Sequence, residues 1–206
     1  MALIHQTTLK PTKLELLSAW LPTRPWYRGA TAPELTPARG FRLDDPAGEV
    51  GIEFHLVAAG TTVHLVPVTY RGAPLPGAPE HAFLGTIEHG ELGTRWVYDA
   101  AYDPVAVAQL IAAVEGRAEI QDQSVSHTPA EGFTRTYAGE GPLDATDFTT
   151  SESAEGTEVR LASGAVLRLH RGQPAALPED ALGHLLGPLA LPDGTALDTV
   201  FATLHA

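Results

Sequence analysis

The chain has 206 residues, with 13 Lys and Arg against 25 Asp and Glu, so its formal charge is −12 and binding to nucleic acid or an anionic membrane through bulk charge is excluded. Apolar residues make up 44%, which supports a packed core and excludes wholesale disorder. The absence of cysteine excludes disulfides, thiolate nucleophiles and cysteine-ligated metal centres.

Met1 to Lys10 lack a basic start leading into an apolar run, and no apolar run nears the about 20 residues that cross a bilayer. A cytoplasmic, soluble protein is expected. Thr12 followed by Glu15 is a capping-box spacing, and Leu14, Leu16, Leu17, Trp20 and Leu21 supply the apolar stripe of a first helix that Pro22 ends. Trp26-Tyr27-Arg28-Gly29 follows, then a Pro/Ala-rich stretch to Gly40 that reads as loop.

Alternation of Val50, Ile52, Phe54 and Leu56 with Gly51, Glu53 and His55 predicts a strand. Gly60 turns the chain into a second strand over 62–70, with Pro67 requiring an edge or a bulge. The segment 71–80 carries three prolines and two glycines and reads as loop. Residues 82–87 and 94–99 form a second strand pair. A helix then starts with Asp103 as cap and Pro104 at its first position, buries Val107, Leu110, Ile111 and Val114, and stops at Gly116.

Residues 121–132 are polar and unpatterned, as in a linker. Strands are expected at 133–138, 145–150, 157–162 and 165–170, with Ser163-Gly164 closing the last pair. A short helix over 178–186 and a strand over 198–204 complete the chain. Helices and mostly antiparallel strands without a repeating βαβ unit give the α+β class.

The usual catalytic signatures are absent. Lys10 and Lys13 are the only lysines, and no phosphate-binding glycine loop precedes either. There is no G-x-S-x-G elbow and no H-E-x-x-H helix. His55 with His64, and His81 with His89, match no ligand spacing, so no metal is assigned. Asp99 and Asp103 bracket a turn at a separation that suits acid/base work on a sugar, but Asp103 already serves as a helix cap. Core packing accounts for Trp20 and Trp96.

Three segments, in register, resemble one family. Ala19-Trp20-Leu21-Pro22 running into Arg24-Pro25-Trp26-Tyr27-Arg28-Gly29 resembles the opening of actinobacterial maltokinases. Residues 65–70 (Leu-Val-Pro-Val-Thr-Tyr) and 82–86 (Ala-Phe-Leu-Gly-Thr) resemble the sheet of their N-terminal cap. Residues 96–104, Trp-Val-Tyr-Asp-Ala-Ala-Tyr-Asp-Pro, resemble the segment closing it. The likeness covers residues 14–117 and implies a curved antiparallel sheet packed by one helix, cystatin-like in outline.

In those enzymes the cap precedes a kinase fold that phosphorylates maltose with ATP and Mg²⁺. Residues 157–161 and 166–171 resemble the hairpin that carries the ATP-positioning lysine, and Arg168 stands at that position. Arginine's broad fork does not replace a compact ammonium on phosphate. With the chain ending at Ala206, no catalytic-loop Asp and no metal-binding motif follow, and phosphoryl transfer depends on both.

The expectation is a stand-alone cap over 1–120, a linker over 121–132, and a β-rich segment over 133–206 like a degenerate kinase N-lobe. It would act without catalytic residues, metal or cofactor, by binding a kinase, another glucan-metabolising protein or a carbohydrate. Trp26, Tyr27 and Arg28, with His89 and Glu91, are the expected contact surface. The alternatives are a subunit of a split sugar kinase and a glucan-processing enzyme using Asp99, Glu88 or Glu91.

Overall fold

In the computed structural model the described residues are 9–206; the reading of the N-terminal leader falls, for residues 1–8, outside them. The chain runs through β1 (Leu9–Lys10), α1 (Lys13–Trp20), β2 (Leu35–Asp44), β3 (Gly51–Ala59), β4 (Thr62–Arg71), β5 (Phe83–His89), β6 (Gly93–Asp99) and α2 (Pro104–Val114). It continues through β7 (Gln121–Asp122), β8 (Thr134–Tyr137), β9 (Phe148–Ser153), β10 (Gly156–Leu161), β11 (Val166–Leu169), β12 (Gly172–Gln173), β13 (Gly183–Ala190) and β14 (Ala196–His205). The described residues are therefore mostly β. The first sheet is curled and antiparallel, in the order β1-β5-β6-β4-β3-β2-β7 with β12 added to β4. A second antiparallel sheet has the order β8-β13-β14-β11-β10-β9.

Both expected helices of the first half form as their caps dictate. The Thr12 hydroxyl accepts from the Glu15 amide while the Glu15 carboxylate accepts from the Thr12 amide at 2.7 Å. Asp103 accepts from Val105 N at 3.0 Å and so starts α2.

The first sheet is buried on both faces, which explains the near-continuous apolar runs of β3 and β4. On one face Leu17, Trp20, Leu21, Trp26 and Tyr27 join Val57, Val66, Val68 and Val97. On the other, Phe41 and Phe54 share one cluster with Leu110 and Ile111 of α2 and with Leu185 and Phe201 of the second sheet. Complete burial of a side chain of this kind contributes about 1.5–3 kcal/mol.

Three expectations need correction. The stretch read as loop up to Gly40 contains β2, which pairs with β3 along most of its length. Its prolines hid a strand whose buried half is Phe41 to Leu43. Gly40 marks a bulge there, and a Cβ at this position would stand 2.0 Å from the Phe54 carbonyl oxygen. The helix expected over 178–186 is instead the approach to β13 and its first half. Burial in β13 alternates with period two, and Gly183, Gly187 and Pro188 oppose a helix. Pro67 lies on an interior strand, not an edge. It falls where β4 changes partner, between the β12 pairing at Val63 and His64 and the β6 pairing that starts at Val68.

The polar stretch 121–132 contributes β7, which pairs with Phe41 and Arg42. Gln123 reaches from it to the Gly40 amide at 2.8 Å.

Candidate functional site

The most concentrated chemistry of the described residues is a buried polar seam between the two sheets. Period two explains it. Along β11 and beyond, Leu167, Leu169 and Arg171 fall on the core face, and along β6 so do Val97 and Asp99. An arginine carried inward requires a carboxylate. Arg171 Nη2 donates to Asp99 Oδ1 at 2.8 Å and to Oδ2 at 2.6 Å, and Arg171 Nε donates to Thr157 Oγ1 at 2.8 Å. Both charged side chains are fully buried. The Arg171 guanidinium also lies over the Trp26 ring, 5.0 Å from its centroid.

The seam continues outward from Trp26. Its indole Nε1 donates to Glu152 Oε1 at 2.8 Å, and Arg24 Nη1 donates to Glu152 Oε2 at 2.9 Å. Arg24 in turn lies 4.8 Å over the Trp20 ring. His64 sits beside Tyr27, with ring centroids 5.1 Å apart, and neither ring nitrogen has a hydrogen-bond partner. Burial lowers the His64 pKa and keeps the ring neutral.

A second charged group lies at the other end of α1, around its first residue, Lys13. Lys13 Nζ donates to both Glu53 oxygens, at 2.8 and 2.6 Å, and His55 Nε2 is 3.0 Å from Glu53 Oε2. Burial pushes the Glu53 carboxyl up, but the hydrogen bond and charge of His55, with the charge of Lys13, outweigh it and hold the carboxyl at about 2.

The expected contact residues separate. Trp26 is 4% exposed and Tyr27 8%, so the indole offers no stacking platform and the reading of this loop as an exposed surface is corrected for both rings. The reason is local: the Trp26 N–H has a buried carboxylate, and its ring has Arg171 and Trp20. Arg28 is exposed. His89 and Glu91 lie apart, at the end of β5 and in the turn that follows it, where His89 Nδ1 accepts from the amides of Glu91 and Leu92. Arg168 is on the outer face of β11, where Nε and Nη2 donate to Glu158 Oε1 at 3.0 and 2.6 Å.

The paired-carboxylate arrangement is also accounted for structurally. Asp99 is consumed by Arg171. Asp103 caps α2 and lies 3.2 Å from Arg71 Nε. Glu88 accepts from Thr94. Among the described residues no group of three or more His, Asp or Glu is placed to hold a metal ion, and no helix is long and apolar enough to cross a membrane.

An open groove of about 770 Å³ borders the seam. Tyr27 and the loop Gly29 to Glu34 form one wall, β2 and the end of β3 the floor, and the turn Ala190 to Pro192 the far wall. Gly29 lets the Tyr27 ring lie against the rim: a Cβ there would stand 2.2 Å from the Tyr27 hydroxyl oxygen and displace the ring. Sequence reasoning passed over Glu152, Thr157 and Arg171, and it considered His64 only as a metal ligand and Arg24 only as part of the family-like segment. Only Arg171 left a signal, as a charge on the inward side of an alternating run.

Residues 20–103 match the maltokinase N-terminal cap domain family. The matched stretch runs from the last residue of α1 to the cap of α2, and it holds Trp26, Tyr27, His64 and Asp99.

Proposed function

We propose that the chain is a binding module of maltokinase-associated α-glucan metabolism, and that it acts by holding a kinase-type protein partner along the groove beside Tyr27 and Gly29. The family match over 20–103 carries this reading. The protein partner is favoured over a saccharide because the aromatic rings nearest the groove are engaged internally. Trp26 donates to Glu152 and Tyr27 packs on His64. Sugar stacking needs an open ring face. Catalysis by paired carboxylates is disfavoured because Asp99 and Asp103 already hold the seam and the helix.

The curved sheet of the cap is read as cystatin-like in outline. Residues 1–120 form the cap in this reading, 121–132 its connector, and 133–206 a second β unit derived from a kinase N-lobe, with Arg168 in place of the nucleotide lysine. The separation of the strands into two sheets near residue 122 supports that division, although β12 and the shared apolar cluster tie the two parts together.

Calorimetric titration of the full chain tests the reading. The titrants are a purified maltokinase-type kinase polypeptide and, separately, maltotetraose. Saturable binding of the polypeptide and no heat from the saccharide are expected. Saccharide binding without polypeptide binding would overturn the choice of partner in favour of the carbohydrate.

A further inference from the structure

We propose that β9 is a self-pairing edge through which a second copy of this chain extends the six-stranded sheet. This surface lies outside the family-matched stretch, and the inference does not depend on the kinase partner. β9 ends its sheet and pairs along all six residues with β10 without a bulge. The other terminal strands are shorter: β8 has four residues, and β1 and β7 have two each. Short strands are a common protection of sheet edges, as are lysine, proline and bulges. β9, Phe148-Thr149-Thr150-Ser151-Glu152-Ser153, has no lysine, proline or bulge, and its one inward-pointing charge, Glu152, is paired with Arg24 within the same chain.

The register fixes which main-chain groups are open. Ser153 faces Gly156 across the two-residue turn Ala154–Glu155, and the Ala162 amide donates to Asp147 O at 3.1 Å. Odd-numbered residues therefore bond toward β10, and the N–H and C=O of Phe148, Thr150 and Glu152 point away from it. The strand is held straight from its inner face. Thr150 Oγ1 donates to Ala101 O at 2.7 Å, and Glu152 is fixed by Arg24 and Trp26. An edge so ordered loses little freedom on pairing.

A second copy fits this edge by its own sequence. Antiparallel pairing centred on Thr150 sets Thr150 against Thr150, Phe148 against Glu152, and Thr149 against Ser151. Those three open residues then exchange main-chain hydrogen bonds with their counterparts. Thr149 and Ser151 are exposed and uncharged, so no like charges meet across the seam, and Thr–Ser pairs of this kind are favourable. Asp147 falls opposite Ser153, and Glu155 opposite Ala145. One six-residue strand buries less than the roughly 1,000 Å² of a permanent interface, so the dimer is concentration-dependent. The −12 charge on each copy makes it stronger at high salt.

Sedimentation equilibrium of the full chain over an about hundred-fold range of concentration tests the proposal. A monomer–dimer equilibrium is expected, with the dimer fraction rising with protein and with salt. The double variant T149K/S151K sets lysine against lysine in this register and abolishes the dimer. The variant T149K/S151E sets lysine against glutamate and restores it. Both sites are exposed, and circular dichroism and unchanged melting confirm that the variants fold. A chain that stays monomeric throughout overturns the proposal, as does a dimer that T149K/S151K leaves intact.

Discussion

Arg171, in the link from β11 to β12, and Asp99, at the end of β6, are 72 positions apart in sequence, yet one guanidinium nitrogen meets both carboxylate oxygens, at 2.8 and 2.6 Å, with no exposure of either side chain. With the bond from Arg171 Nε to Thr157 of β10, the pair joins the first sheet to the second beneath Trp26. Removing one partner of such a pair leaves a buried charge uncompensated, at a cost of about 3–5 kcal/mol. D99N and R171M are each expected to destabilise by that order in urea titrations. The double variant D99N/R171M is expected to lose markedly less than the sum, because neither orphaned charge remains. Additive losses would show that the pair does not act as a unit.

Trp26 and the groove are expected to separate stability from binding. W26F removes the N–H that Glu152 accepts, and it is expected to cost about 1–3 kcal/mol of stability with partner affinity unchanged. T36R, at an exposed groove position, is expected to leave the melting temperature within a few degrees of the parent and to weaken partner binding at least about ten-fold. A W26F protein that keeps its stability and loses its partner would return the indole to the contact surface.

Acid sensitivity below pH 4.5 is assigned to Glu53. Its folded carboxyl is held at about 2, against the ordinary value of 4.5. Since the folded value is the lower one, the stabilisation is complete above 4.5 and is lost as pH falls toward 2. It amounts to about 3 kcal/mol. E53Q is expected to be less stable at neutral pH and to lose little further stability across that window.

A separate loss is expected at milder acidity. Burial lowers the pKa of His64 below 6.5, and it lowers that of His170, with help from Arg168 and His205, to about 4. The unfolded chain takes up protons that the folded chain refuses, so stability declines as pH falls below 6.5. Each ring contributes up to about 1.4 kcal/mol per pH unit there. H64L and H170Q are each expected to flatten the decline, as read by urea unfolding at a series of pH values.

The helix caps, the apolar alternation of β3 and β4 and the match of the cap were legible because each rests on residues close in sequence. Thr12 with Glu15 and Asp103 with Pro104 needed no tertiary context. β2 was hidden because Pro33 and Pro37 are read as breakers, while the residues that make it a strand, Phe41 and Leu43, are chosen by what they pack against. β13 was hidden because Pro178-Glu179-Asp180 resembles a helix start, and the cross-strand pairing with β8 and β14 overrides it. The seam could not be read at all from local pattern. Glu152 is 126 residues from Trp26, and nothing near either one announces the other. Trp26 was placed at the surface for the same reason.

Hydrogen–deuterium exchange of the full chain, alone and with the kinase polypeptide, tests the central claim most directly. Binding is predicted to slow exchange in residues 29–38, 58–60 and 190–192 together, and to leave the turn at His89 and Glu91 unchanged. Protection confined to that turn, or unaltered exchange everywhere with the polypeptide at saturating concentration, would contradict the assignment of the groove as the binding surface.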